Sequence, residues 1–226
     1  MSARGLFVTG TDTGVGKTRV AVALIQALRA QGLRVAAMKP VSAGSAPGEL
    51  NEDVVALLQA ANVDADLRDV NPYAFAEPIA PHIAAALAGV RMELDVIAAA
   101  YSRLAAKADV VVVEGAGGWR VPLNEHEDMA DLAQRLNLPV VLVVGLRLGC
   151  LNHALLTAES VAHRRLPWAG WIGNHVGASM PLAAENVAAL HARLPGPCLG
   201  VQDFLHGDIS SGNALQWLML PEGLVS

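Results

Sequence analysis

The run Gly10-Thr11-Asp12-Thr13-Gly14-Val15-Gly16-Lys17-Thr18 sets three glycines, a lysine and a threonine hydroxyl between a short β-branched segment and a long Ala-rich one. Glycines let successive backbone N–H groups curl around phosphate oxygens, and a helix start adds unpaired N–H groups and the positive end of its dipole. Lys17 then reaches the outer phosphates, and the Thr18 hydroxyl is placed to ligate magnesium. The chemistry implied is binding of the phosphate tail of a magnesium nucleotide, and phosphoryl transfer. Strict phosphate-loop spacing would put glycine at Thr11, and Gly10 stands one residue earlier. A plain glycine-rich turn with a solvated lysine is the competing reading, and it leaves the flanking strand and helix unexplained.

Three more residues have types suited to the same chemistry. Four valines, Val110 to Val113, run directly into Glu114 and are followed by Gly115-Ala116-Gly117-Gly118. Strand carboxyl ends in an open α/β sheet converge on the ligand crevice, so Glu114 is expected to face the phosphates as a second magnesium ligand. Lys39 ends another β-branched run and Pro40 stops it continuing into a helix; it is either a solvated strand end or a charge aimed at a transferred phosphoryl group. Asp53 opens a helical stretch, where capping by Asn51 or Asp53 is the ordinary reading and metal ligation the sharper one.

The elements that must position these groups follow from periodicity. Residues 6–8, 35–39, 110–113, 140–144 and 169–173 read as buried strands, and 18–29, 53–60, 94–106, 129–136, 152–164 and 181–194 as helices. Alternation of the two predicts an α/β fold, a P-loop NTPase-type parallel sheet with helices on both faces. The interval between the second and third strands exceeds an ordinary crossover and is expected to carry substrate contacts. The stretch after Gly196 has mixed signals.

Composition agrees: 226 residues, 53% apolar and only 4% aromatic, suit small helices packed on a valine sheet in one domain spanning 1–226. A net charge of −5 and a pI near 5.8 offer no general attraction to nucleic acid or anionic membrane. The longest apolar runs, such as residues 139–146, are too short to span a bilayer, and a cytoplasmic protein is expected. Cys150 and Cys198 have no metal-ligand spacing, so neither a disulfide framework nor structural zinc is expected.

Taken in order, several motifs closely resemble the dethiobiotin synthase family. They are the loop from Thr9 to Thr18, Lys39-Pro40-Val41, Asn71-Pro72-Tyr73 with Glu77-Pro78 and Pro81-His82, Glu114-Gly115-Ala116-Gly117-Gly118, Leu148-Gly149-Cys150-Leu151-Asn152-His153, and Gly170-Trp171-Ile172-Gly173-Asn174. The resemblance implies a homodimeric enzyme of biotin synthesis that turns 7,8-diaminononanoate, CO2 and ATP into dethiobiotin, ADP and phosphate through a phosphorylated carbamate. It implies Thr18, Asp53 and Glu114 as the Mg2+ set, and Lys17 with Lys39 as the catalytic pair. Nucleotide contacts are implied at Gly14, Val15, Gly16, Lys17, Thr18 and Arg19, at Asp53, at Glu114, Gly115, Ala116 and Gly117, and at Asn174, His175 and Asp203. Substrate contacts are implied at Thr13, Lys39, Ser42 and Ala43, with Gly149, Cys150, Leu151 and Asn152 receiving the substrate carboxylate across the dimer interface.

The chain departs from that family at three places. Gly14 stands where Glu is common, the hydroxyl of Lys39-Pro40-Val41-Ser42-Ala43-Gly44 comes one residue early, and Asp203 stands where Pro is common near the adenine. Two other classes share the loop. A nucleotide-switched positioning protein usually adds a basic amphipathic tail or basic stripe, which is missing here, and ammonia-channelling amidoligases add a glutaminase domain. No Asn-Lys-x-Asp guanine-reading motif occurs.

Overall fold

Val-rich runs become strands buried on both sides because helices cover both faces of the sheet they form. In the computed structural model, which describes residues 4–46, 48–204 and 216–224, β1 (Arg4–Gly10) leads into α1 (Lys17–Ala30) and β2 (Val35–Met38). The long interval that follows holds β3 (Val41–Ala43), α2 (Glu52–Ala60), α3 (Leu67–Val70), β4 (Tyr73–Phe75), α4 (Pro81–Leu87) and α5 (Leu94–Ala105). Then come β5 (Val110–Glu114), α6 (Met129–Leu136), β6 (Val140–Leu146), α7 (Cys150–His163), β7 (Trp168–His175), α8 (Ala183–Arg193) and β8 (Cys198–Gln202).

Six strands form a parallel sheet in the order β2-β5-β1-β6-β7-β8, and β3 pairs with β4 in a small parallel sheet beside it. Side chains alternate between faces. Leu6, Val8, Val110, Val112, Val141 and Val143 pack with α1 and with Leu57 of α2, whereas Phe7, Val111, Val113 and Val140 pack with α5 and α6. On that second face Leu142 and Val144 continue the layer under α7 and α8.

The expected α/β sheet with two helical layers is therefore the observed one. The strands expected at 6–8, 35–39, 110–113, 140–144 and 169–173 correspond to β1, β2, β5, β6 and β7. The sequence reading did not contain β3, β4, β8, α3 or α4; β3, β4 and α3 span three or four residues each, too few to show a period. α8 starts at Ala183 rather than 181 because Leu182 adopts φ 53° and breaks the helix there. α7 starts at Cys150, after Gly149 at φ 96°, two residues before the expected start.

Register decides what meets at the carboxyl edge. Met38 pairs with Val113, Phe7 with Val113 and Val8 with Glu114. The residues just beyond, Lys39 after β2 and Glu114 at the end of β5, thus lie side by side. Alternation turns Glu114 to the same face as Val112, the face that α1 covers and on which Thr18 opens that helix.

Candidate active site

Gly16 makes the turn from loop into α1 at φ 89°, in the left-handed region that favours glycine. A Cβ there would lie 2.2 Å from Asn174 Nδ2. That amide is held in place, because Nδ2 donates to the Val15 carbonyl at 2.9 Å from the end of β7. The loop is also tied from within: Lys17 Nζ donates to the Asp12 carbonyl at 2.9 Å, Thr13 N–H donates to Asp12 Oδ1 at 2.7 Å, and the Asp12 carboxylate pairs with Arg147. Val15 packs beneath the loop, 1% exposed, against Gly10 and Gly145.

Three charged side chains and one hydroxyl meet below the loop. Lys39 Nζ lies 2.8 Å from Asp53 Oδ2 and 2.5 Å from Glu114 Oε1. Thr18 Oγ1 lies 2.7 Å from Asp53 Oδ1 and 2.9 Å from Glu114 Oε1, its one proton serving one carboxylate at a time. Asn51 caps α2 by accepting from Asp53 N–H at 3.0 Å, which leaves the Asp53 carboxylate free to join this cluster. Of the two capping candidates in the sequence, Asn51 is the cap.

Glu114 is fully buried and Lys39 is 4% exposed, so burial is the largest single influence on each. It holds the Glu114 carboxyl above the usual range, an effect the Lys39 charge only partly offsets. Burial alone would lower Lys39, but Glu114 and Asp53 outweigh it and keep the ammonium above its ordinary value. Burial would likewise raise Asp53, and Lys39 with the Thr18 hydrogen bond brings it below the ordinary value. Burial first, and then the Lys39 charge, lower Lys17 to about 8.

That last shift predicts a pH dependence. Lys17 is charged below about pH 8 and loses its proton above it, so anion affinity is expected to fall as pH rises past 8. Calorimetry of triphosphate binding at pH 8.5, in buffers of different ionisation enthalpy, is expected to give heats that vary with the buffer, the mark of proton uptake; observed heats that are the same in every buffer would remove Lys17 from the contact.

Two cavities open on the cluster. One, of about 370 Å³, is lined by Thr13, Gly14, Gly16, Lys17, Thr18, Arg19, Lys39, Asp53, Glu114 and Gly117. The second, of about 560 Å³, has a more apolar wall from Val41, Pro78, Ile79, Pro81, Val121 and Pro122, with Ser42, Ala43, Asn51 and Ala116 also on it. Thr13, Lys39, Asp53 and Gly117 line both. The first has the shape and donors for phosphates, and the second suits a partly apolar molecule delivered to the same lysine.

The remaining candidates lie outside these walls. Gly115 packs against Phe7 and Met129. His175 closes β7 and the exposed Asp203 follows β8, on the far side of the loop from Lys39. Gly149, Cys150, Leu151 and Asn152 open α7, with the neighbouring Leu148 97% exposed. The sequence reading contained neither the Asp12–Arg147 pair nor the hydrogen bonds of Asn71 to Ser42 and Lys39, since nothing in linear spacing joins those residues.

The oxygen set of Thr18, Asp53 and Glu114 fits a hard divalent cation that keeps water and phosphate ligands. Glu114 Oε2 is buried without a hydrogen-bond partner among the described residues, as an oxygen reserved for a cation would be. Among those residues no three His, Cys, Asp or Glu gather into an all-protein metal cage, and no helix is long and apolar enough to cross a membrane.

A sequence family described as an AAA domain matches residues 4–206. Curated relatives called ATP-dependent dethiobiotin synthetase BioD are 54% identical in Nitrosospira multiformis, covering 88% of this chain and 87% of the relative. The Janthinobacterium relative is 52% identical over 86% and 85%, and that of Aromatoleum aromaticum 51% over 90% and 92%. Among solved structures, the septum site-determining protein MinD with Mg-ADP from Pyrococcus horikoshii aligns with a TM-score of 0.50 at 18% identity, covering 89% of this chain and 81% of that one. The MinC:MinD complex of Aquifex aeolicus aligns at 0.54 and 13% identity, with the same coverage. At such identities these two likenesses concern the fold alone.

Proposed function

The chain belongs to the ATP-dependent dethiobiotin synthetase family, and from that premise we propose how its own residues close the cyclic urea of dethiobiotin from 7,8-diaminononanoate, CO2 and ATP. It is an ATP-dependent ligase of biotin biosynthesis. The observation that carries the assignment of roles is Lys39, whose ammonium stands on the wall common to both cavities.

In this reading the loop N–H groups and Lys17 hold the triphosphate in the smaller cavity. Arg19, the run from Gly14 to Thr18, Glu114 and Gly117 complete the contacts around the phosphates, with Gly115 and Ala116 carrying the chain between the last two, while Asn174, His175 and Asp203 attend the base. The diamine lies in the larger cavity against Thr13 and Ala43. One of its amines carries CO2 as a carbamate whose oxygen takes the terminal phosphoryl group; the neighbouring amine then displaces phosphate and the ring closes. Lys39 neutralises charge that builds on the transferring group, and the shared wall holds the two amines still for closure. Thr18, Asp53 and Glu114 would hold Mg2+, which when bound supplies further charge neutralisation at the phosphates.

The α7 start is the surface at which a second copy would receive the substrate carboxylate, so the reading includes a homodimer; the family match over residues 4–206 supports treating the chain as one domain, and the reading includes a cytoplasmic location. Size-exclusion chromatography with and without ATP is expected to give a dimer in both.

Phosphate release is expected to require both diamine and bicarbonate and to match dethiobiotin mole for mole. Release at an equal rate without diamine would overturn the assignment. For the metal, Thr18→Val is expected to abolish the tightening of ATP binding by Mg2+, measured by calorimetry with and without chelator; unchanged tightening would remove Thr18 from the metal set.

A further inference from the structure

The Asn71-Pro72-Tyr73 run has no part in the account above, yet Asn71 is a buried polar residue, 9% exposed, with every end of its amide committed. Its Nδ2 donates to the Lys39 carbonyl at 2.7 Å and to the Tyr73 carbonyl at 3.2 Å, and its Oδ1 accepts from Ser42 Oγ at 2.9 Å. Two carbonyls on one side and a hydroxyl on the other fix which end is nitrogen.

The place this clamp grips is where the sheet stops. The last β2–β5 pair is Met38 with Val113, so the backbone of Lys39 is beyond the ladder. Its N–H instead donates to the Val70 carbonyl at 2.8 Å, and its C=O accepts from Asn71. The Pro40 carbonyl accepts from Tyr73 N–H at 3.2 Å, and Asn71 N–H is anchored to the Leu67 carbonyl of α3 at 2.8 Å. Both polar groups of the Lys39 backbone are thus set by consecutive residues at the α3–β4 junction. Ser42 is 2% exposed, and its single proton goes to Asn71.

We propose that Asn71 is the positioning residue that fixes Lys39 against the transferring group, and that Ser42 serves catalysis by orienting Asn71 rather than by hydrogen-bonding the diamine. The inference rests on the reading that Lys39 acts on that group. Geometry at a reacting centre is costly to lose, since a displacement near 1 Å removes about 100-fold in rate. A residue of this kind acts on kcat and leaves the substrate KM values alone.

The test compares Ser42→Ala, Ser42→Thr, Asn71→Ala and the double alanine variant. Expected are a fall in kcat of about 3- to 10-fold for S42A and about 30- to 100-fold for N71A. The double variant should be no slower than N71A, S42T should recover wild-type turnover, and the KM for diamine and for ATP should stay within about twofold throughout. Hydrogen exchange is expected to quicken in S42A and N71A over residues 39–43. A raised diamine KM with unchanged kcat in S42A would assign Ser42 to the substrate and overturn the proposal; so would additive losses, or exchange over 39–43 that matches wild type. If wild type makes no dethiobiotin, the functional reading fails on that result, and the exchange rates still decide whether the clamp holds Lys39. Should N71A not fold, S42A with S42T decides the same question.

Discussion

Lys39→Ala is expected to lower kcat by about 100- to 1,000-fold, the usual loss when one charge-stabilising donor is removed from a preorganised site, while ATP affinity changes by no more than about threefold. The asymmetry follows from where Lys39 stands. Lys17 and the loop amides grip the phosphates in the ground state, whereas Lys39 lies on the wall shared with the second cavity and gains importance only as charge moves across it. Single-turnover phosphate release together with calorimetric ATP binding measures both terms; equal losses in the two would make Lys39 a binding residue. The substitution also removes the cation facing the fully buried Glu114. Stability is expected to fall by about 3 kcal/mol or more, and Lys39→Met with Glu114→Gln should recover much of that stability without recovering turnover.

Gly16→Ala is expected to weaken ATP binding by about 10- to 100-fold. Holding a non-glycine residue in the left-handed region costs about 1–3 kcal/mol, and each 1.4 kcal/mol is tenfold in affinity. The added methyl would also sit 2.2 Å from an amide nitrogen that is bound to the Val15 carbonyl and has little freedom to withdraw. Gly14 supplies the control: its φ is 72°, yet a Cβ there meets nothing within 4 Å. Gly14→Ala therefore suffers backbone strain alone and should bind ATP more tightly than Gly16→Ala. Asn174→Ala in the Gly16→Ala background should relieve the contact and leave the strain. Equal affinities for the two glycine variants would show that Asn174 does not buttress the loop.

The sheet was legible because its signal is local and redundant. Four valines before Glu114, and the glycines between a β-branched run and an Ala-rich one, each carry a strand end and its neighbour in a single stretch of chain. The parts that escaped notice are those that only tertiary contact defines. The three-residue strands β3 and β4 exist because they pair with each other, not because either segment shows alternation. Asp53 at a helix start reads first as a cap, and what sets its carboxylate free for the site is that Asn51 does the capping. Lys39 read equally as a surface charge or a catalytic one, and what separates these is register, which sets it next to Glu114 from a strand seventy-odd positions away. The MinD proteins share the sheet, so the fold by itself says little about the reaction; the residues beyond the strand ends, and identities near 50%, say more.

Thr13, Lys39, Asp53 and Gly117 belong to both cavities, so the two occupants lie against the same four residues and next to one another. A bisubstrate inhibitor can exploit that. A polyphosphate mimic tethered to a diamine mimic by a spacer that passes Thr13 would make its second contact intramolecularly, and its potency should exceed that of either fragment by about 100- to 10,000-fold. The same fragments joined by a tether too short to pass Thr13 should gain nothing.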